Sequence, residues 1–248
     1  MDGDIGTWIS SIPKVTRYWF FSFFIVPLTT RLGLINPVNL ILISGKTIYE
    51  FQIWRLVTSL LWHPVNFNWL MMLFFLYNYS RLLEEGHFTG RPADYIFMIL
   101  FNAICIDIAG LFFDLYIMSP ALIFSVLYVW CQINKDTIVR FWFGIQVRAM
   151  YFPWILFLFF FILGANWPIL LLGILVGHLY FFLMYKYPQE FGGTQLLSTP
   201  KFLYSFLPNE RTMGGFGAAP QRRRDERGDN RWGRGGHDWG QGQRLGDF

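Results

Sequence analysis

Few side chains in this sequence have the type and setting to do chemistry, and most of them lie in apolar surroundings. His178 follows Gly173-Ile174-Leu175-Val176-Gly177 inside a run, 149–185, that contains no Asp, Glu, Lys or Arg. An ionisable residue in such a run is a candidate functional group, and the ordinary alternative is a packed, hydrogen-bonded imidazole. A histidine base calls for a nucleophile within its reach, and Ser119 and Ser125 are the serines of the neighbouring apolar run. Ser119 reads Ile117-Met118-Ser119-Pro120, where proline removes a backbone N–H that an oxyanion hole would use. No glycine flanks either serine. Asp107 is the costliest residue to bury, at about 2.5–3.5 kcal/mol on an insertion scale. One acid does not make a proton path, so it reads as a bundle-facing or hydrated carboxyl. Gly173 and Gly177 have the small-xxx-small spacing that lets two backbones approach. No Cys/His cluster has zinc spacing and no glycine loop suits phosphate, so neither a metal nor a cofactor is expected.

The elements that must carry these residues follow from composition. Of the 248 residues, 54% are hydrophobic and 15% charged, against roughly 25% charged in soluble domains. The 149–185 run would make a helix of about 55 Å at 1.5 Å per residue, too long for one crossing of a 30 Å hydrocarbon core. Gly164-Ala165-Asn166-Trp167-Pro168 supplies the turn that makes it a hairpin of two spans. Four further spans precede it: near 17–35; between Arg55 and Arg81, with Trp62, His63 and Pro64 near the start; 95–113; and between Asp114 and Lys135. The expected fold is therefore an all-α polytopic membrane protein of six transmembrane helices. Arg81, Arg91, Lys135, Arg140 and Arg148 occupy the 2–3 and 4–5 connections, while the 3–4 and 5–6 turns carry no base. By the positive-inside rule both termini face the cytosol. Cys105 and Cys131 lie in apolar runs and read as packing residues, and no cleavable signal peptide is evident.

Two segments stand apart. The first loop, 34–53, mixes Ile, Leu, Val and Phe with Asn36, Pro37, Asn39, Lys46 and Glu50; it suits either the bilayer interface, apolar face down, or a folded lumenal cap. Residues 201–248 hold nine Lys/Arg, six Asp/Glu and ten Gly. Such a composition predicts a disordered tail, with a short interfacial helix around 202–207. Its arginines, interleaved with Asp225, Glu226 and Asp229, fit a solvated linker better than an RNA or lipid contact. The last residues place Trp239 and Leu245 among glycines, as two anchors on a tether.

With these features in view, the sequence resembles the derlins. The resemblance rests on Phe51-Gln52-Ile53-Trp54-Arg55, Gly90-Arg91-Pro92-Ala93-Asp94-Tyr95, Ser125-Val126-Leu127-Tyr128-Val129-Trp130, Phe141-Trp142-Phe143-Gly144, Gly177-His178-Leu179-Tyr180 and Leu197-Ser198-Thr199-Pro200. It implies a rhomboid-like bundle over 17–187, between a cytosolic segment 1–16 and a cytosolic tail 188–248. It implies an endoplasmic-reticulum membrane protein without protease activity, which helps move misfolded lumenal and membrane proteins to the cytosol for degradation. Trp54 and Arg55 match the family's Trp-Arg motif, and Gly173 and Gly177 its GxxxG motif. Ser119 and His178 fall where active rhomboids keep nucleophile and base, and the Gly-x-Ser-Gly motif is missing. His237, Asp238, Trp239, Gly240, Gln241, Gly242, Arg244, Leu245 and Gly246 resemble the SHP box that recruits the valosin-containing AAA unfoldase. A multi-spanning RING ubiquitin ligase, client proteins, the lipid bilayer and other derlin copies complete the implied partners. An intramembrane serine protease using Ser119 and His178, and a small channel resting on Asp107, are the competing readings.

Overall fold

The computed structural model describes residues 4–140, 144, 146–190 and 196–209. Its elements are overwhelmingly helical: α1 (Asp4–Ser11), α2 (Lys14–Arg31), α3 (Ser44–Tyr49), α4 (Trp54–Leu61), α5 (Phe67–Leu82), α6 (Pro92–Phe112), α7 (Ser119–Ile133), α8 (Phe152–Ile162), α9 (Trp167–Phe181), α10 (Tyr187–Glu190) and α11 (Lys201–Phe206). Short 3-10 turns at Pro37–Asn39 and Ala149–Tyr151 and π turns at Leu83–His87 and Phe182–Lys186 join or extend them. Two short strands, β1 (Ile138–Arg140) and β2 (Gln146–Arg148), pair antiparallel with Val139 opposite Val147. This ribbon in the 4–5 connection departs from a purely helical reading, and its β-branched residues suit extended backbone.

Helix α7 is the axis of the bundle, buried from Ser119 through Cys131. Helices α4, α5, α6, α8 and α9 all pack against it. A helix apolar on every face belongs in such a place. Helices α6 and α9 with its continuation to Glu190 are long and apolar enough to cross a membrane. The others are shorter: α5 has 16 residues, α7 15 and α8 11, or about 24, 22 and 16 Å at 1.5 Å per residue.

The apolar run between Arg55 and Arg81 is not one span. Helix α4 ends at Leu61, Trp62 turns extended, and α5 starts only at Phe67. Pro64 disfavours helical backbone at His63, and the Asn66 side chain then caps α5 by accepting the Trp69 N–H at 2.9 Å. The hairpin turn lies where the glycine and proline predict it. Gly164 adopts φ +77° and Pro168 sits in the first turn of α9.

Candidate functional site: a braced first loop and a close helix pair

Arg55, at the second position of α4, points inward and is 1% exposed. Its Nη1 donates to the Val38 and Ile41 carbonyls at 2.6 and 2.8 Å, and its Nε to Gln52 Oε1 at 2.7 Å. Gln52 passes the contact on, donating to Glu50 Oε2 at 2.6 Å. A guanidinium is the group suited to this, because its rigid fork reaches acceptors on separate strands of a loop at once. Three acceptors compensate for its removal from water. Thr58 Oγ1 adds a bond to the Leu40 carbonyl at 2.9 Å. From the other side Leu42 donates its N–H to the Tyr116 carbonyl at 2.9 Å, and Ser44 Oγ donates to Asp114 Oδ1 at 2.6 Å. The first loop is thus tied to α4 on one flank and to the α6–α7 turn on the other.

The outer side of this loop is apolar. Tyr49, Phe51, Ile53, Trp54 and Val57 are all exposed, Tyr49 and Phe51 by 84% and 79%. Phe51 adopts φ +52°, a conformation unfavourable for a bulky side chain, which the Gln52 N–H to Lys46 carbonyl bond helps hold. Neighbouring residues therefore face opposite ways: Trp54 outward with the apolar set, Arg55 inward as the strut. The resemblance singles out Trp54 and Arg55 as a motif. Burial and its carbonyl partners were not legible, because Val38 and Ile41 carry no sequence signal.

The glycine pair does what its spacing predicts. A Cβ on Gly173 would lie 2.4 Å from the Ala121 carbonyl oxygen, and one on Gly177 2.7 Å from that of Ser125. Helices α7 and α9 therefore touch backbone to backbone. Ala121 and Ser125 repeat the four-residue spacing of the glycines, a matching signal within the sequence that could have named the partner helix.

Ser119 and His178 are not brought together. Ser119 Oγ is fully buried and donates to the Trp62 carbonyl at 2.8 Å. His178 is exposed on α9, with its Nδ1 2.8 Å from the Tyr128 hydroxyl. Tyr128 is nine residues past Ser119 on α7, about 13 Å along the axis, far outside hydrogen-bond reach. Beside Ser119 a cavity of about 180 Å³ is lined by His63, Asn66, Asn68, Asn166, Pro120 and Met72. Asp107 is buried on α6 with Oδ1 lacking a partner among the described residues, and Asn102, one and a half turns earlier, lacks partners for both side-chain atoms.

At the opposite end, two carboxylates and one histidine organise the chain. Glu84 accepts the Val15 and Thr16 N–H groups at 2.9 and 2.7 Å and the Thr16 hydroxyl at 2.7 Å. It supplies the cap that Pro13 cannot give α2, at the positive end of that helix. Asp94 Oδ1 accepts from Thr199 and Tyr204, both at 2.7 Å, which docks α11 on α6 and joins two of the motifs quoted above. That bond raises the Tyr204 hydroxyl above its ordinary pKa. His87 Nε2 lies 2.8 Å from the Tyr185 hydroxyl, and Arg91 donates to the His87 carbonyl at 2.6 Å. Burial first, and then the Arg91 charge, lower the His87 pKa. A third acid, Glu85, pairs with Arg81 on the surface. None of the first three contacts was visible beforehand, since each joins residues distant in sequence. The SHP-like stretch 237–246 and the tail from 210 onward lie outside the described residues, as do Phe141, Trp142 and Phe143.

The comparisons with known proteins agree with the motifs. The Der1-like family matches residues 12–201. Derlin-1 of Homo sapiens is 51% identical over 249 residues, spanning 98% of this chain and 99% of the human protein. Derlin-1 of Caenorhabditis elegans is 44% identical with the same coverage. Derlin-1 of Drosophila melanogaster is 37% identical over 244 residues, 94% of this chain and 97% of the fly protein.

Proposed function

This chain belongs to the Der1-like family, the derlins, and from that premise we propose that it is a non-catalytic membrane component of endoplasmic-reticulum-associated degradation. In this reading it sits in the endoplasmic-reticulum membrane with six spans, α2, α5, α6, α7, α8 and α9, and both termini in the cytosol. It helps misfolded lumenal and membrane proteins reach the cytosol. Its tail recruits the valosin-containing AAA unfoldase through residues 237–246, and it works beside a multi-spanning RING ubiquitin ligase and other derlin copies.

The observation that carries the reading is the shortness of the outward-facing helix α8. It has 11 residues and exposes Trp154, Leu158 and Phe161, so that side of the bundle offers only about 16 Å of helix to a hydrocarbon core of about 30 Å. Lipid next to such helices thins rather than leaving polar helix ends in hydrocarbon. The exposed aromatic side of the first loop supports a second inward pull, since such a surface settles at the headgroup level. A thinner barrier shortens the stretch over which a passing polypeptide keeps its backbone groups unsatisfied.

The decisive experiment is electron microscopy of the protein in lipid nanodiscs, measuring headgroup separation around the bundle. A local thinning beside α8 and the first loop is expected; uniform thickness would overturn the mechanism. Recruitment is tested by pull-down of the unfoldase with intact protein and with a chain truncated before Trp239, where loss on truncation is expected. The protease reading is disfavoured by the separation of Ser119 from His178 and by the bond that commits Ser119 to Trp62.

A further inference from the structure

Near their N-terminal ends α2 and α6 stand apart. The Thr16 hydroxyl meets Ser80 at 2.7 Å and Ser80 meets the Tyr95 hydroxyl at 2.6 Å, so both helices start at the same end of the bundle. Beside this chain of hydroxyls runs an open groove of about 510 Å³. Val15, Trp19 and Ser22 form one wall, and Ile96, Ile99 and Leu100 the other. Leu207, just past α11, rims it, and Lys14 stands at its head.

The groove differs at its two ends. Its body is apolar, as befits a surface within the membrane, and from Lys14 to Ser22 it runs eight residues, or about 12 Å along α2. That is too short to seat a transmembrane helix, which needs a face of about 30 Å. It is long enough for the upper part of one acyl chain. Its head is cationic. Lys14 is exposed, and Arg17 lies over the Tyr18 ring at 5.7 Å from the centroid, with Tyr18 itself lining the groove. Neither Lys14 nor Arg17 forms an ion pair with a described residue. The nearby acid, Glu84, has both oxygens occupied by α2 itself, and Asp94 is held by Thr199 and Tyr204. Among the described residues the two cations are therefore unpaired and open to a ligand.

From this arrangement we infer that the α2–α6 groove is a binding site for an anionic glycerophospholipid. One acyl chain lies between Trp19 and Ile99, and the headgroup phosphate rests on Lys14 and Arg17. Basic positions at the cytosolic ends of helices are suited to such headgroups. The inference goes beyond the degradation role and requires only that α2 and α6 lie in a bilayer. Because Leu207 rims the groove, a bound lipid also touches the point where the chain leaves α11.

The test uses full-length protein in nanodiscs carrying a phosphatidylserine probe with a photoactivatable diazirine on one acyl chain. Crosslinked peptides are mapped by mass spectrometry, with unlabelled phosphatidylserine or phosphatidylcholine as competitor. Labelling is expected at 15–22 and 96–100, displaced by phosphatidylserine more readily than by phosphatidylcholine. Lys14→Glu should lower labelling about fivefold or more, from the loss of one cation near the surface. Leu100→Phe, at an exposed position, and Ser22→Trp should both reduce labelling by filling the groove, and a thermal melt of each variant checks its fold. Equal labelling of the lipid-facing side of α8, with no headgroup preference and no effect of Lys14→Glu, would overturn the proposal in favour of an ordinary lipid annulus. Crosslinks from groove positions to a second polypeptide that exclude the lipid would overturn it in favour of helix docking.

Discussion

Replacing Arg55 by alanine removes three charge-assisted hydrogen bonds at one stroke, two to the Val38 and Ile41 carbonyls and one to Gln52. A hydrogen bond to a charged group contributes about 1.5–3 kcal/mol, and a buried carbonyl left without a donor costs about 1–3 kcal/mol. The contributions overlap because all three bonds converge on one group, so the loss should fall well short of their sum, at about 3–4 kcal/mol. This energy acts on the docking of the first loop rather than on the α7–α9 core, since the acceptors of Arg55 all lie in that loop. Opening of the loop should therefore become more frequent by about 10²–10³-fold. Hydrogen exchange reads this directly at the Leu42 and Thr47 amides, whose partners are the Tyr116 and Ile43 carbonyls. Both should exchange faster in Arg55→Ala, while amides of α7 keep their protection. Arg55→Lys should fall between, since an ammonium keeps the charge but lacks the fork that spans Val38, Ile41 and Gln52. Turnover of a misfolded lumenal reporter should slow in the same order. Unchanged exchange at Leu42 and Thr47 in Arg55→Ala would refute the strut.

The close helix pair gives a second outcome: Gly173→Ala and Gly177→Ala push a methyl against backbone and should each destabilise by about 1–3 kcal/mol, visible as a lowered melting temperature, whereas Gly45→Ala meets nothing within 4 Å. Ser119→Ala should cost about 1–2 kcal/mol by orphaning the Trp62 carbonyl, and it should leave cleavage of a labelled transmembrane substrate at the background level of the parent. His87, whose pKa is lowered by burial and by Arg91, binds its proton less readily in the folded chain than in the unfolded one. Its contribution is therefore present above pH 6.5, the ordinary value, and is lost as pH falls through the lowered value; a His87→Gln variant should flatten that part of the stability profile. Asp94→Asn removes the charge that Thr199 and Tyr204 share, so limited proteolysis should cut the chain near α11 sooner than in the parent.

Membrane residence was legible in the sequence, because a charge-free run over 149–185 has no other use, and the turn at Gly164 follows from the residue that tolerates its backbone angle. The break at 62–66 was obscured by the same rule that found the spans: counting the interval between Arg55 and Arg81 for charges gives one apolar stretch. The local chemistry of Pro64 and Asn66 was there to divide it. The polar contacts were hidden for a different reason. Glu84 with Thr16, Asp94 with Thr199 and Arg55 with Val38 join residues 17 to 105 positions apart, and two of Arg55's acceptors are main-chain carbonyls that every residue possesses. Side-chain type announces a donor; only the fold assigns its acceptor.

The fate of Ser119 follows from that break. In an unbroken helix the Trp62 carbonyl would accept the N–H of Asn66, four residues on. Here Asn66 is the extended cap of α5, so the Trp62 carbonyl is left without a helical partner in surroundings where an unsatisfied polar group is expensive. Ser119 Oγ supplies the missing donor. The break is also what separates α4 from α5, and α4 carries both Trp54 outward and Arg55 inward. A serine set at the start of the central helix thus serves the first loop: its hydroxyl secures the C-terminal end of α4, while Arg55 secures the loop from the N-terminal end. Restoring a Ser–His dyad would require more than a flanking glycine. It would have to free this hydroxyl, leave the Trp62 carbonyl unpaired, and bring His178 about two and a half turns of helix nearer, away from Tyr128. The geometry that braces the first loop and the geometry of hydrolysis therefore compete for the same oxygen.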